Sequence, residues 1–331
     1  MEDKPRICVI HTGGTFGMSG LPGPLQPDSY SLNLSNHIPE IDDIADTTVI
    51  SPFNIDSSQM EPDKWGIIVD VIKDNYDEHN GFVIIHGTDT MSYTAAALSF
   101  MLENLGKPVI LTGSQLPLAE PRTDARLNLL NSILLASQPI PEVSVCFNTY
   151  LYRGNRIKKR DIWSYDAFYS PNMEPLAKLG LNVRLSKTIL TRDSILTINP
   201  AIDPRVWVIR VVPGFHPTQL DLMIHENIKG LILEAFGAGN LPVSLSQMHG
   251  FLKEATENDI PVVIVSQSPY GTVNLELYEA GRKASTAGVI PGGDMTVECA
   301  TIKLMIALGR FDNLTDIRNY MLANVAGERS K

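Results

Sequence analysis

The sequence predicts an α/β fold of two domains. Parallel or mixed sheets carry helices on both faces, with a larger N-terminal and a smaller C-terminal domain. Three observations support this expectation. Short apolar runs alternate with longer amphipathic stretches, the rhythm of strand–helix–strand units. The runs are continuous and rich in β-branched residues, as in strands covered on both faces. A length of 331 residues, at roughly 150 per domain, suits two domains.

The strand candidates are Ile7–His11, Phe82–His86, Val109–Thr112, Val143–Phe147, Val206–Val212, Leu231–Ala235 and Val262–Ser266. Helical periodicity covers about Pro62–Tyr76, Met91–Leu105, Ala125–Ser137, Thr218–His225, Ser246–Glu257, Met295–Leu308 and Leu314–Asn324. From Leu185 to Pro204 the rhythm lapses: the stretch is polar and lacks a helical period, and a fresh strand follows at Val206. The expected organisation is therefore an N-terminal domain over 1–190, a linker over 191–205 and a C-terminal domain over 206–331.

Composition narrows the function classes. Hydrophobic content of 44% and charged content of 19% are ordinary for a globular chain with a real core. A net charge of −10 argues against general binding to nucleic acid or anionic membrane, both of the same sign. No apolar run approaches the ~20 residues of a membrane helix, and the start lacks a secretory signal pattern, so a cytoplasmic protein is expected. Cys8, Cys146 and Cys299 are widely spaced and form no CxxC, which suits free thiols in a reducing compartment. No cofactor or metal is expected.

In doubly wound sheets, ligands bind beyond the carboxyl ends of strands, so the residues that follow strands matter most. The first strand runs into Thr12-Gly13-Gly14-Thr15-Phe16-Gly17. Its glycine spacing is neither that of a dinucleotide fingerprint nor that of a phosphate-binding loop, and the prolines at 22, 24 and 27 preclude a following helix. Gly17–Pro27 reads as a mobile loop that could act as a lid. Thr15 is either a turn hydroxyl bonded to its own backbone or a nucleophile.

The second strand ends in Gly87-Thr88-Asp89-Thr90 at the start of a helix. Thr88 or Asp89 could cap that helix, and the same hydroxyl and carboxylate could serve chemistry. In Asp56-Ser57-Ser58-Gln59-Met60-Glu61-Pro62, Ser58 and Glu61 have capping-box spacing. A helix start with free hydroxyls also suits a small carboxylate, and Asp56 suits an ammonium. Tyr152–Arg160 is a basic run that normally reads as a solvated loop, but a lysine drawn from it into a site can carry a proton. His11 and His86 read as packed strand-end residues.

With these segments in hand, the sequence resembles the bacterial-type L-asparaginase family, and most closely its cytoplasmic type I branch. The resemblance rests on HTGGTFGM (11–18), DSSQM (56–60), GFVIIHGTDTMSYTAAALSFML (81–102), KPVILTGSQLPLAEPRTDARLN (107–128), LYRGNR (151–156) and GGDMTVE (292–298). It implies a two-domain amidohydrolase converting L-asparagine to L-aspartate and ammonia. Thr15 would be the nucleophile, with Thr88, Asp89 and Lys159 completing the catalytic set. Asp56, Ser57, Ser58, Gly87 and Ser114 would bind substrate, with Gln115 beside the site. The resemblance further implies a homodimer or homotetramer, with Asn240 reaching a neighbouring subunit's site. One departure stands out. The family's loop tyrosine is missing at the matching place, Gly23-Pro24-Leu25-Gln26, and Tyr30 lies 15 residues beyond Thr15. The alternatives are a glutaminase or other small-amide amidase, an ammonia-supplying component of an amidotransferase, and a non-catalytic amino-acid-binding sensor.

Overall fold

The computed structural model describes residues 4–19, 26–27, 34–191, 195–215, 217, 227–242 and 246–330. Tyr30, residues 20–25 of the Gly17–Pro27 segment and the whole of the helix expected over Thr218–His225 lie outside the described residues. The chain divides into two compact units, residues 1–200 and 201–331.

The first unit is built on an eight-stranded sheet. Its strands are β1 (Arg6–His11), β2 (Asp46–Ile50), β3 (Gly81–Ile85), β4 (Val109–Thr112), β5 (Val143–Phe147), β6 (Tyr150–Arg153), β9 (Ala177–Leu179) and β10 (Val183–Leu185). A two-stranded antiparallel hairpin, β7 (Lys158–Lys159) with β8 (Phe168–Tyr169), stands apart from it. The spatial order is β10-β9-β6-β5-β4-β3-β1-β2. Strands β1 to β5 pair in parallel, whereas β6, β9 and β10 join antiparallel, so the sheet is mixed.

The continuous apolar runs are explained by burial on both faces. Ile7, Val9, Val83, Ile85 and Ile110 pack in one core with Ala125, Leu129, Ile133 and Ala136 of helix α3 (Ala125–Ala136). Their sequence neighbours Cys8, Ile10, Phe82 and Ile84, on the opposite face, are equally buried. Burying each large side chain of this kind contributes roughly 1.5–3 kcal/mol. The other helices of eight or more residues described in this unit are α1 (Pro62–Asp74) and α2 (Met91–Met101), and Pro62 occupies the first turn of α1, where its missing N–H would have no partner anyway.

The second unit carries a four-stranded parallel sheet in the order β11 (Val206–Arg210), β12 (Gly230–Ala235), β13 (Val262–Ser266), β14 (Ile290–Pro291). Its described helices of eight or more residues are α4 (Ser246–Glu257), α5 (Glu279–Thr286), α6 (Val297–Arg310) and α7 (Leu314–Leu322). One expectation fails here. β11 is not covered on both faces: it is an edge strand, and Trp207 and Val208 are 47% and 43% exposed among the described residues. An apolar run alone cannot distinguish an edge from a centre. Cys8, Cys146 and Cys299 are buried and in no disulfide, and burial pushes the Cys8 and Cys146 thiols up to about 12.

Candidate active site

Strands β2, β1, β3 and β4 lie side by side and in parallel, so four loops leave one edge of the sheet. The register keeps their ends level: Ile10 is opposite Ile50, His11 opposite Ile85, and Ile85 opposite Thr112. Chain order reverses between β1 and β3, the kind of switch point where α/β sheets take ligands.

The loops after β1 and β3 touch through bare backbone. Gly14 has φ +83, and a Cβ there would stand 2.4 Å from the Gly87 Cα. Conversely, a Cβ on Gly87 would stand 2.5 Å from Ser57 Oγ. No side chain fits at either position, so the Thr15, Thr88 and Ser57 loops meet. Further bonds fix them: the Thr12 hydroxyl donates to Ile85 O at 2.9 Å, Gly14 N–H to Ile55 O at 3.0 Å, and the Thr90 hydroxyl to Ser57 O at 2.8 Å.

Lys159 reaches this cluster from β7. Its ammonium donates to Thr88 Oγ1 at 2.7 Å and to Asp89 Oδ1 at 2.6 Å. Thr88 is buried, the Lys159 side chain is 18% exposed, and that of Asp89 is 65% exposed. Thr88 in turn makes a long contact to Gln115 Oε1, at 3.5 Å. The result is a line Asp89–Lys159–Thr88–Gln115, an ammonium held between a carboxylate and a hydroxyl at the sheet's carboxyl edge.

Thr15 opens a single 3-10 turn, Thr15–Gly17, half-buried beside this line. Its hydroxyl makes no hydrogen bond to another described residue, so the expected self-bonded turn hydroxyl is not what forms. Behind Thr15, Met18–Ser19 pairs antiparallel with Gln26–Pro27, giving the glycine- and proline-rich segment a two-stranded base.

Several local expectations are corrected. Neither Thr88 nor Asp89 caps a helix. Helix α2 begins at Met91 with Thr90 as its N-cap, so the Gly87–Thr88 turn precedes the helix, and Thr88 and Asp89 are left for Lys159. The Ser58/Glu61 capping box does not form either. Asp56 caps the 3-10 turn Ser57–Gln59 by accepting Ser58 N–H at 2.8 Å, and Glu61 becomes the N-cap of α1 without a side-chain bond. The basic run is no solvated loop. Tyr150–Arg153 is strand β6, and Arg153 and Arg156 are buried. Arg153 forks onto Glu142 at 2.5 and 3.2 Å and donates to Thr188 O at 2.7 Å. Burial of a cation requires such a complete set of acceptors.

Of the remaining candidates, Ser57 and Ser114 are buried, and the Ser114 hydroxyl is spent on Leu116 O at 2.6 Å. Asn240 lies in the second unit, where its backbone pairs with Phe236. Sequence reasoning missed two supporting residues. Thr90 ties the α2 turn to Ser57, and Asp124 accepts the Gln115 and Leu116 N–H groups at 3.0 and 3.1 Å, shaping the Gln115 loop. The ladder of polar residues from Thr112 to Asn128 carried no pattern that would single out Asp124.

Two histidines stand behind the site as neutral rings. Trp65 Nε1 donates to Thr94 Oγ1 at 3.0 Å, Thr94 Oγ1 meets His86 Nε2 at 2.9 Å, and His86 Nδ1 meets Gly87 O at 2.7 Å. Because Gly87 O can only accept, Nδ1 carries the proton and Nε2 accepts from Thr94. Burial lowers His86 to about 4, and burial likewise lowers His11 to about 4. Among the described residues no cluster of three or more His, Cys, Asp or Glu could hold a metal, and no helix is long and apolar enough to cross a membrane.

Fold and site together define a class: a two-domain α/β protein presenting a hydroxyl–ammonium–carboxylate line at the switch point of its larger domain. Comparison with known proteins gives the class a family. The family model "Asparaginase, N-terminal" matches residues 6–191, and "Glutaminase/Asparaginase C-terminal domain" matches residues 205–321. The chain is 42% identical to L-asparaginase 1 of Escherichia coli, covering 98% of each sequence. It is 38% identical to a component of the glutamyl-tRNA(Gln) amidotransferase of Pyrococcus abyssi, over 98% of this chain and 76% of that one. The crystal structure of L-asparaginase I from Vibrio cholerae superposes with a TM-score of 0.91 at 38% identity, covering 99% of this chain and 100% of that one. The chain belongs to the asparaginase family.

Proposed function

We propose that this protein is an amidohydrolase that converts L-asparagine to L-aspartate and ammonia, with Thr15 as nucleophile. The observation that carries the reading is the Lys159 ammonium bonded at once to Thr88 and Asp89, on a turn pressed against the turn of Thr15. The names of its relatives, L-asparaginase 1 and L-asparaginase I, support it.

A threonine hydroxyl is a weak nucleophile that needs an activated setting. Thr15 Oγ attacks the side-chain amide carbon, and the nitrogen leaves as ammonia after receiving a proton. Backbone N–H groups of the Gly87–Thr88 turn take the oxyanion, where one donor is worth about 10²–10³ in kcat. Water then attacks the acyl-enzyme, with Lys159 and Thr88 passing its proton. Asp56, through the carboxylate oxygen not used as a cap, and Asp89 hold the α-ammonium. Ser57 and Ser58 hold the α-carboxylate, and Gly87 leaves room for the substrate.

The same reading keeps the domains at 1–190 and 206–331 with the linker between. It also keeps a cytoplasmic homodimer or homotetramer in which Asn240 reaches a neighbouring site. The resemblance to an amidotransferase component favours one second reading, in which the ammonia is handed to another reaction instead of being released.

The test is ammonia release from L-asparagine and from L-glutamine by the purified protein. Release favouring asparagine is expected. Release favouring glutamine would shift the reading to a glutaminase, and asparagine binding without release would shift it to a sensor. Thr15→Ala should lower kcat by at least about 10³ with the fold intact; substantial residual activity would remove Thr15 from its role.

A further inference from the structure

The hairpin that supplies Lys159 also presents an apolar surface beside the site. Its connecting loop is held by hydrogen bonds: Arg160 N–H donates to Ala167 O at 2.8 Å, and Asp161 Oδ1 accepts the N–H groups of Trp163 at 2.7 Å and Ser164 at 2.9 Å. The Tyr165 hydroxyl donates to Arg122 O, tying the loop to the neighbouring turn. A loop so fixed nevertheless leaves Trp163 88% and Ile162 66% exposed. Large apolar groups held in water mark a place where something binds.

Beside them lies a cavity of about 490 Å³ lined by Gln115, Leu116, Arg122, Ile162, Trp163 and Tyr165. It offers an indole and aliphatic wall, together with an arginine that has no side-chain partner among the described residues. Gln115 belongs to both the cavity and the site. Its Oε1 meets the Thr88 hydroxyl at 3.5 Å, while its Nε2 donates to Ser164 O at 3.0 Å, within the Trp163 loop. The Asp56–Ser58 segment joins the site at Gly87 and Thr90 instead. Through Gln115 the cavity adjoins the site on the side of the Thr88–Lys159 pair.

We infer that this cavity is a leaving-group subsite for larger amides, namely β-aspartyl dipeptides whose second residue is aromatic. The ring lies on Trp163 and Ile162, and the terminal carboxylate meets the Arg122 guanidinium. The inference rests on the amidohydrolase reading given above. Thr15 Oγ bonds the β-carbonyl carbon, the C–N bond to the second amino acid breaks, and that nitrogen takes a proton through Thr88 and Lys159. Water then cleaves the ester, so that one amide and one water yield aspartate and a free aromatic amino acid.

The experiment compares β-L-aspartyl-L-phenylalanine with L-asparagine as substrates of the wild type, Trp163→Ala and Arg122→Ala. The dipeptide should be cleaved, and each variant should lose about tenfold in kcat/KM for it, mainly through KM, with asparagine turnover unchanged. An enzyme that hydrolyses asparagine but not the dipeptide overturns the subsite alone. Cleavage of the dipeptide unaffected by either substitution overturns it as well. A protein inert toward asparagine but active on the dipeptide in a Trp163-dependent way keeps the subsite and overturns the asparaginase reading. Inertness toward both overturns both.

Discussion

The ion pair Lys303–Glu328 in the second unit and the pair Lys159–Asp89 in the first close to nearly the same distance, 2.5 and 2.6 Å. Their surroundings differ completely. Lys303 and Glu328 are 0% exposed. The Lys303 ammonium also donates to Met321 O and Ala323 O, and Glu328 also accepts the N–H groups of Val325 and Ala326. Three ammonium protons meet three acceptors, and the C-terminal segment is thereby fastened to α6. Burial pushes the Lys303 ammonium below its usual range against the pull of Glu328. Burial acts to raise Glu328, but the Lys303 charge and the backbone bonds outweigh it and hold that carboxyl low. Lys159 and Asp89 are instead 18% and 65% exposed, and among the described residues the Lys159 ammonium donates only to Thr88 and Asp89. A pair with every valence filled serves the fold; a pair left incomplete at a strand end can serve a reaction.

This contrast can be broken by substitution. Lys159→Ala should lower kcat by about 10²–10⁴, the range of a positioned proton carrier, while urea unfolding stays within about 0.5 kcal/mol of wild type. A large loss of stability would place Lys159 with the structural pair. Lys303→Met should do the reverse. It leaves Glu328 buried and unpaired, at about 3–5 kcal/mol of stability, with kcat of the folded protein preserved. Unchanged urea unfolding for Lys303→Met would refute that assignment.

A third test is pH. His11 and His86, each lowered by burial from 6.5 to about 4, take up protons more readily unfolded than folded. Their stabilisation is therefore complete above pH 6.5 and disappears as pH falls toward 4, at roughly 3 kcal/mol per ring at most. Asp124, raised by burial despite its hydrogen bonds, opposes this. Urea midpoints should decline between pH 6.5 and 4, less steeply in His86→Gln. A flat profile there would mean the rings are solvated. The smallest effect is expected when Glu328→Leu is added to Lys303→Met: it should recover only about 1–2 kcal/mol of the loss, because no lone charge remains but the Val325 and Ala326 N–H groups lose their acceptor.

The sequence revealed what depends on local pattern. Strands β1, β3, β4 and β5 stood out because burial on both faces demands unbroken apolar runs. The loops bearing Thr15 and Thr88 were legible because they follow those strands directly. What failed depended on long-range partners. Strand β2 reads as polar because it is the sheet edge, with Asp46, Thr48 and Val49 exposed. The burial of Arg153 required Glu142, 11 residues away and meaningless in isolation. The caps were misassigned because Asp56 competed successfully with Ser58, and because Lys159, 70 residues downstream, claimed Asp89.

The contact of Gly14 with Gly87 has a consequence for how such a protein can change. The spacing between the two threonine turns is set by main chain alone, and neither partner can be varied without prying the turns apart. Natural drift and laboratory libraries alike are thus steered away from the centre and toward the loop between β7 and β8, where Ile162 and Trp163 bear no packing duty. New substrate preferences in this lineage should arise there first, while the geometry of bond cleavage stays fixed.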